Sequence, residues 1–345
     1  MKKSLIALGA ALACASGAYA QSSVQVTGLI DMYAGSMRMA GDAERTNVVG
    51  SGGMTTSWLG FKGSEDLGGG LKANFQLTSF LRTDTGEPGR FPGDNFFSRD
   101  ANVGLSGGFG ALTLGRGMAP NFLPTILFNP FGDSFTVSPL VLHANVPSAG
   151  WPFGALTTPA DTGWSNQITY TTPDFNGLKA NIHYQFGEQA GQNNKGNLGL
   201  NVLYFAGPLA LTGFYERSKM DMSFPTPKVQ DLKTAWMLGG AYDFNVAKAF
   251  LTYGQSKVSA TDYNSKTFSL GADVPVLGKA GSVKLALART QLSGAALGDM
   301  TRTTTSVGYD HFLSKRTDLY AVGMYDKRTD TNSGTSVLVG IRHRF

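Results

Sequence analysis

Cysteine is almost missing from this sequence. The single one, Cys14, stands in an N-terminal stretch, MKKSLIALGAALACASGAYA. Its basic start (Lys2, Lys3), apolar run from Leu5 to Ala15 and small-x-small end at Ala18-Tyr19-Ala20 read as a secretory signal peptide, residues 1–20, cut before Gln21. A lipid-anchored cysteine is disfavoured, because Ala11-Leu12-Ala13-Cys14 lacks the aliphatic residue usual three places earlier. The mature chain, 21–345, therefore has no thiol. It enters an oxidising compartment without disulfides, and a thiol nucleophile or a Cys-metal site is excluded. Histidine is nearly as scarce: His143, His183, His311 and His343 are never spaced as a ligand pair, so no metal is expected. Beyond the leader no apolar run reaches the roughly 18 residues of a spanning helix. No stretch has the rhythm of an amphipathic helix either. Catalytic motifs are wanting too. Glu65-Asp66 sits in a turn, and Gly68-Gly69-Gly70 is followed by neither Lys-Ser/Thr nor a helix, so it cradles no phosphate. No cofactor and no nucleic-acid partner is expected. Removing Lys2 and Lys3 lowers the formal charge from +5 to about +3.

What is present is a rhythm of two. In Leu71–Thr83, Leu71, Ala73, Phe75, Leu77 and Leu81 alternate with Lys72, Asn74, Gln76, Thr78 and Arg82. In Leu178–Phe186, Leu178, Ala180, Ile182, Tyr184 and Phe186 alternate with Lys179, Asn181, His183 and Gln185. Ser23–Ala34, Thr55–Asp66 and Ser282–Thr290 repeat the pattern, and the count is about 16 strands. Their connections alternate in length. Tight ones such as EDLGGG, SGGFG, AGP and DFN are interleaved with longer polar ones such as Arg38–Thr55, Asp84–Ser98 and Gly187–Asn197. Short turns at one end, loops at the other, and alternation throughout describe an all-β, antiparallel transmembrane β-barrel as one domain. A soluble β-sandwich also alternates, but it does not need every second connection to be short.

One stretch breaks the rhythm. From Gly117 to Gly163 the chain holds seven prolines, no Lys or Arg, and only Asp133 and Asp161 as acids. The prolines forbid a long helix or a central strand. Disorder fits badly, because Phe122, Phe128, Phe131, Phe135, Trp151 and Phe153 need a surface to fold against. That surface is expected to be the inner wall, with residues 117–163 as an inward constriction loop.

At GFKGSEDLGGGLKANFQL (Gly60–Leu77) the chain resembles the trimeric general porins of β-proteobacterial outer membranes. NVGLSGGFGALTLGR (Asn102–Arg116), TYTTPDFNGLKA (Thr169–Ala180), YFAGPLAL (Tyr204–Leu211), GYDHFLSKRTDLYA (Gly308–Ala321) and VGIRHRF (Val339–Phe345) extend the likeness along the whole mature chain. The resemblance implies a 16-stranded barrel, a homotrimer embedded in outer-membrane lipid and lipopolysaccharide, and a third external loop folded into the lumen. It also implies wall arginines facing acids on that loop. Arg116 matches a wall position and Asp133 resembles the acidic loop tip. Where the family commonly has Arg-x-Gly-Phe, this chain has Trp58-Leu59-Gly60-Phe61, so an indole replaces a wall charge. The terminal aromatic, Phe345, matches the mark read by the outer-membrane assembly machinery; read by itself it is an interfacial aromatic.

The expected constriction set is Arg116, Asp133, Arg82, Trp58, Lys62 and Asp100. Arg82 shares a face with Lys72 and Gln76, but a solvated place at the external rim would explain it equally. Arg116 has the wrong parity beside Leu112 and Leu114 and needs a bulge or a strand end to face inward. Asp133 after Gly132 would also serve as a plain turn-former. Arg342 and Arg344 are expected to form a solvated basic face. The function expected is passive diffusion of small hydrophilic solutes and ions with weak anion preference. A channel preferring small organic or aromatic acids is the alternative, should the loop's apolar side chains line the opening rather than the wall. A surface adhesin and an outer-membrane phospholipase are remoter; the latter would need a lipid-facing His, for which His311 is the one outward candidate.

Overall fold

The structure is a computed structural model describing residues 23–146, 162–188, 190, 196–221, 230–259, 262–294 and 298–345. The leader 1–20 and loop residues 147–161, with Trp151, Phe153 and Asp161, lie outside the described residues.

In chain order the strands are β1 (Ser23–Met37), β2 (Thr46–Ser51), β3 (Trp58–Gly68), β4 (Leu71–Arg82), β5 (Glu87–Pro88), β6 (Asp100–Gly107), β7 (Gly110–Met118), β8 (Gly163–Thr171) and β9 (Leu178–Gln185). They continue as β10 (Asn197–Ala206), β11 (Leu209–Asp221), β12 (Gln230–Asp243), β13 (Lys248–Val258), β14 (Tyr263–Val276), β15 (Gly281–Ser293), β16 (Met300–Phe312), β17 (Thr317–Arg328) and β18 (Gly334–Arg344). Each pairs antiparallel with its neighbours, and β1 closes the sheet by pairing with both β18 and β3. β2 pairs only with the far end of β1, and β5 only with the last two residues of β4. Leaving those two short strands aside, the wall has 16 strands.

Closure is the solution a bilayer imposes, because hydrocarbon offers no partner for an unpaired backbone group. The alternation decides which face is which. In β18, Val337, Val339 and Ile341 are exposed, whereas Leu338 between them is 1% accessible. The apolar row thus points out toward lipid. The polar row of β16 (Arg302, Thr304, Ser306, Asp310) points in and is buried. Strand ends run further than the hydrophobic pattern shows. β14 starts at Tyr263 rather than near Thr267, because Asn264, Ser265 and Lys266 pair with Lys257, Ser256 and Gln255 although the alternation has faded there.

At the seam, Gly28 and Phe345 exchange both backbone hydrogen bonds, at 3.0 and 3.1 Å. A side chain at position 28 would begin 2.5 Å from the Phe345 ring and 2.8 Å from the Trp58 carbonyl, so this close approach requires glycine.

Candidate pore constriction

Between β7 and β8 the chain forms two single-turn helices, α1 (Phe122–Leu127) and α2 (Pro139–Ala144). Proline sits where helices tolerate it, Pro139 opening α2. The segment's polar groups bond to inward-facing wall residues and to the β1–β3 connection. Asn121 donates to Glu216 at 2.8 Å, and Asn201 donates to the Pro120 carbonyl at 3.0 Å. Ser134 and Thr136 donate to the Gly53 and Gly52 carbonyls at 2.7 and 2.8 Å. Ser306 donates to the Val137 carbonyl at 2.7 Å. The His143 ring lies between the hydroxyls of Thr290 and Thr304, 2.8 Å from each.

The apolar groups of this segment are spent on the wall. Phe128 and Phe131 are each 1% accessible. Phe128 packs with Leu203, Ala210, Ala241 and Phe250, and Phe131 with Met54, Tyr320, Val322, Met324 and Leu338. Apart from Met54, which lies in the β2–β3 connection, these residues occupy inward wall positions, so the inner face carries two apolar seats in an otherwise polar row. Two inward glycines admit the loop: a side chain at Gly271 would begin 2.5 Å from Pro130, and one at Gly308 would begin 2.9 Å from Phe131. The seats were the signal hidden in the sequence. Phe250, Met324 and Leu338 sit on the polar parity and break the alternation where the loop rests.

The charged residues fall into separate groups. Around Arg116 the β7–β8 register shifts between Gly115 and Gly117, the irregularity that the parity required. The side chain is 9% accessible and clamps the roots of two connections. It donates to the Ser98 carbonyl at 2.6 Å, to the Gly163 carbonyl at 3.5 Å and to the Ser165 hydroxyl at 2.8 Å. It also borders a polar hollow of about 220 Å³ with Asp100, Gln167 and His183. Asp100 accepts from Thr78 at 2.7 Å and pairs with Arg99 at 2.8 Å. The Arg99 guanidinium lies over the Trp58 indole, 4.2 Å from its centroid. Asp133 is half-buried on the loop. Desolvation pushes its carboxyl above the usual range, against the opposing pull of a Thr55 hydrogen bond and of the Arg99 and Arg342 charges. Trp58 and Asp100 are thus linked through Arg99, which sequence reasoning missed because it precedes β6 in a loop and has no strand parity. Arg82 stands apart at the end of β4, 2.7 Å from Glu87. Lys62 is exposed between its cross-strand neighbours Gln25 and Gln76.

Arg342 corrects an expectation. It is not solvated but 8% accessible. Its guanidinium bonds Asp318 at 3.0 Å, Asp310 at 3.2 Å and the Thr55 hydroxyl at 2.9 Å. Register puts Asp318 directly across from it, and Asp310 one strand further. Arg344, part-exposed, reaches the same Asp318 at 3.3 Å. A second buried pair, Arg302 with Asp326 at 3.0 Å, stands beneath α2, with Arg302 3.5 Å from the Leu142 carbonyl. On the outer face, His311 has its Nδ1 3.0 Å from the hydroxyl of Tyr309 on the same strand.

A closed wall of 16 strands, apolar outside and polar inside, with tight turns at one end and longer connections at the other, defines an outer-membrane pore protein. The chain belongs to the Gram-negative porin family, whose model matches residues 6–331. It is 32% identical to outer membrane porin protein 32 of Delftia acidovorans, with all of both chains covered. It is 28% identical to an outer membrane porin protein of Bordetella pertussis, again over the whole of both. Among solved structures, the anion-selective porin from Comamonas acidovorans matches with a TM-score of 0.76 at 29% identity, covering 94% of this chain and 100% of that one. OmpT of Vibrio cholerae matches with a TM-score of 0.69 at 15% identity, over 94% of this chain and 99% of that one, a likeness of fold alone. The protein is a porin of the Gram-negative outer membrane.

Proposed function

We propose that the barrel passes small hydrophilic solutes and ions by passive diffusion, with weak preference for anions, through an opening narrowed by the loop 117–163. The supporting observation is which inward charges lack an opposite partner among the described residues. Glu216 pairs with Lys233, Asp273 with Lys284, Asp326 with Arg302, and Asp310 and Asp318 with Arg342. Such pairs largely cancel beyond a few ångströms. Among the described residues Lys62 and Lys72 stand in no ion pair and Arg116 is hydrogen-bonded to carbonyl and hydroxyl oxygens, against two acids also outside any ion pair, Asp133 and Asp31, the latter held by backbone N–H groups and the Tyr320 hydroxyl. The residual field is slightly basic, in keeping with a relative described as anion-selective. Burial of Phe128 and Phe131 favours a general channel over one lined for aromatic acids.

Reversal potential across a planar bilayer under a salt gradient tests this, with organic acids and sugars as competing permeants. Chloride should outrun potassium modestly at about 0.1 M salt. The preference should shrink at about 1 M, as the Debye length falls from about 10 Å to about 3 Å. Current should close in three equal steps, as a homotrimer requires. Cation preference in the wild type would sink the selectivity reading, and single-unit steps the trimer.

The protein acts as a channel and not as an enzyme in this reading. Lipopolysaccharide and lipid surround it, and the assembly machinery reads its last strand. Deleting Phe345 removes both backbone hydrogen bonds to Gly28 at the seam. It should lower the amount of folded protein in the outer membrane with synthesis intact. An unchanged heat-modifiable band on electrophoresis would show that the residue is not read.

A further inference from the structure

We propose that Asp31, fully buried on β1, is a positioning residue of the opening: its carboxylate folds residues 52–57, the connection between β2 and β3, into an inward shelf that carries the loop 117–163. The inference rests on the channel reading above and adds the part that holds the loop in place. Three successive backbone N–H groups converge on the carboxylate. Gly53 donates to one oxygen at 3.1 Å, and Met54 and Thr55 donate to the other at 2.8 Å each. The Tyr320 hydroxyl donates to the first oxygen as well. Such a run of N–H groups is a cradle for an anion, and here the wall itself supplies the anion. The backbone of Asp31 ties both ends of the shelf. Its carbonyl accepts from the Gly52 N–H at 2.8 Å and from the Ser57 hydroxyl at 3.1 Å, and its N–H donates to the Ser57 oxygen at 2.9 Å. A trans peptide sets its N–H and its C=O on opposite sides. Drawing the Gly53 and Met54 N–H groups to Asp31 therefore turns the Gly52 and Gly53 carbonyls the other way. Those are the two carbonyls that receive Thr136 and Ser134 of the loop. Met54, on the same shelf, packs with Phe131 and Val137 of the loop. The cradle needs a carboxylate. It offers acceptors on both oxygens, whereas an amide of the same shape would turn its NH2 group toward two of the four donors.

Thiol labelling of the full-length protein tests this. Beyond Cys14 in the leader the chain has no cysteine, so Val137→Cys places a single thiol in residues 21–345. Val137 is buried, and its hydrogen bonds to Ser134 and Ser306 use backbone atoms alone, so that substitution leaves them in place. The rate of modification by a charged, water-soluble thiol reagent reads detachment of the loop whether or not the loop limits flow. Heat-modifiable migration checks the folding of each variant. Asp31→Asn in that background should speed labelling about tenfold, because two buried donors lose their acceptor. Thr136→Val, which cuts one bond from the loop side, should speed it about threefold. Asp31→Asn with Thr136→Val should match Asp31→Asn alone, because the carbonyl that Thr136 uses is then no longer presented. A general weakening of β1 would not produce that non-additivity. A folded Asp31→Asn variant labelled no faster than its background overturns the proposal, and effects that simply add overturn the shelf as the link. Should Asp31→Asn not fold, Thr136→Val takes its place, and an unchanged labelling rate overturns the proposal there. Planar-bilayer recording of the same variants separates the readings. Faster labelling at wild-type conductance supports the shelf and overturns the narrowing of the opening by this loop. A wild type without channel steps overturns the channel reading itself.

Discussion

Replacing Phe128 and Phe131 together by alanine is expected to free the loop between β7 and β8 and raise single-channel conductance with added open-channel noise. Each ring is 1% accessible and sits in its own apolar seat on the inner wall. Truncating a buried Phe costs about 3–5 kcal/mol. The hydrogen bonds that also hold the segment are each worth only about 0.5–1.5 kcal/mol net. Losing both rings thus removes about as much as all the polar anchors supply together. The barrel should survive, because its wall is held by a closed ladder to which the loop contributes little. Conductance and noise in a planar bilayer, with folding checked by electrophoretic mobility, read the effect. Wild-type conductance from the double variant would mean either that the polar anchors suffice or that this loop does not limit the flow.

Acid is expected to loosen the same loop through His143. The ring is buried in α2 between two threonine hydroxyls. Burial, with repulsion from Arg302, pushes its pKa well below the ordinary value, and Asp326 only partly offsets this. The attached loop therefore keeps the imidazole neutral, whereas a detached loop would take up a proton near about pH 6.5. Attachment is at full strength above about pH 6.5. It weakens as pH falls below that value, by about 1.4 kcal/mol per unit, until the depressed pKa of the buried ring is reached. Asp133 runs the other way. Its raised carboxyl holds a proton in the attached loop that the detached loop has lost, so it favours attachment as pH drops toward the ordinary carboxylate range. The two groups therefore oppose each other as pH falls, and a histidine variant separates them. Noise and conductance recorded from about pH 7.5 to about pH 5 should rise in the wild type and not rise in His143→Gln, which keeps a hydrogen-bonding amide but does not titrate there, so that any change left is the opposing one of Asp133. A His143→Gln profile that follows the wild type would remove His143 as the cause.

The strand β3 shows how far reasoning from the chain alone carries. Alternation placed Trp58 and Lys62 on the inner face, and their cross-strand partners Phe80 and Gln76 stand there too. Alternation also required an irregularity at Arg116, and the register does shift there. Neither fact said what these side chains touch. The cation over Trp58 comes from a loop residue far along the chain, and the partners of Arg342 lie on β16 and β17.

The class of fold, the 16-strand wall and the inward parity of most wall residues were legible along the chain. Those are local properties: a pleated strand turns successive side chains to opposite faces, and proline and glycine act on their own dihedrals. Three other features emerged with the folded barrel: the burial of Arg342 among carboxylates, the seats of Phe128 and Phe131 on the wall, and the stacking of Arg99 on Trp58. They depend on register and on where loops return, set by the packing of many strands at once. No stretch of chain encodes a contact between residues that closure of the barrel brings together.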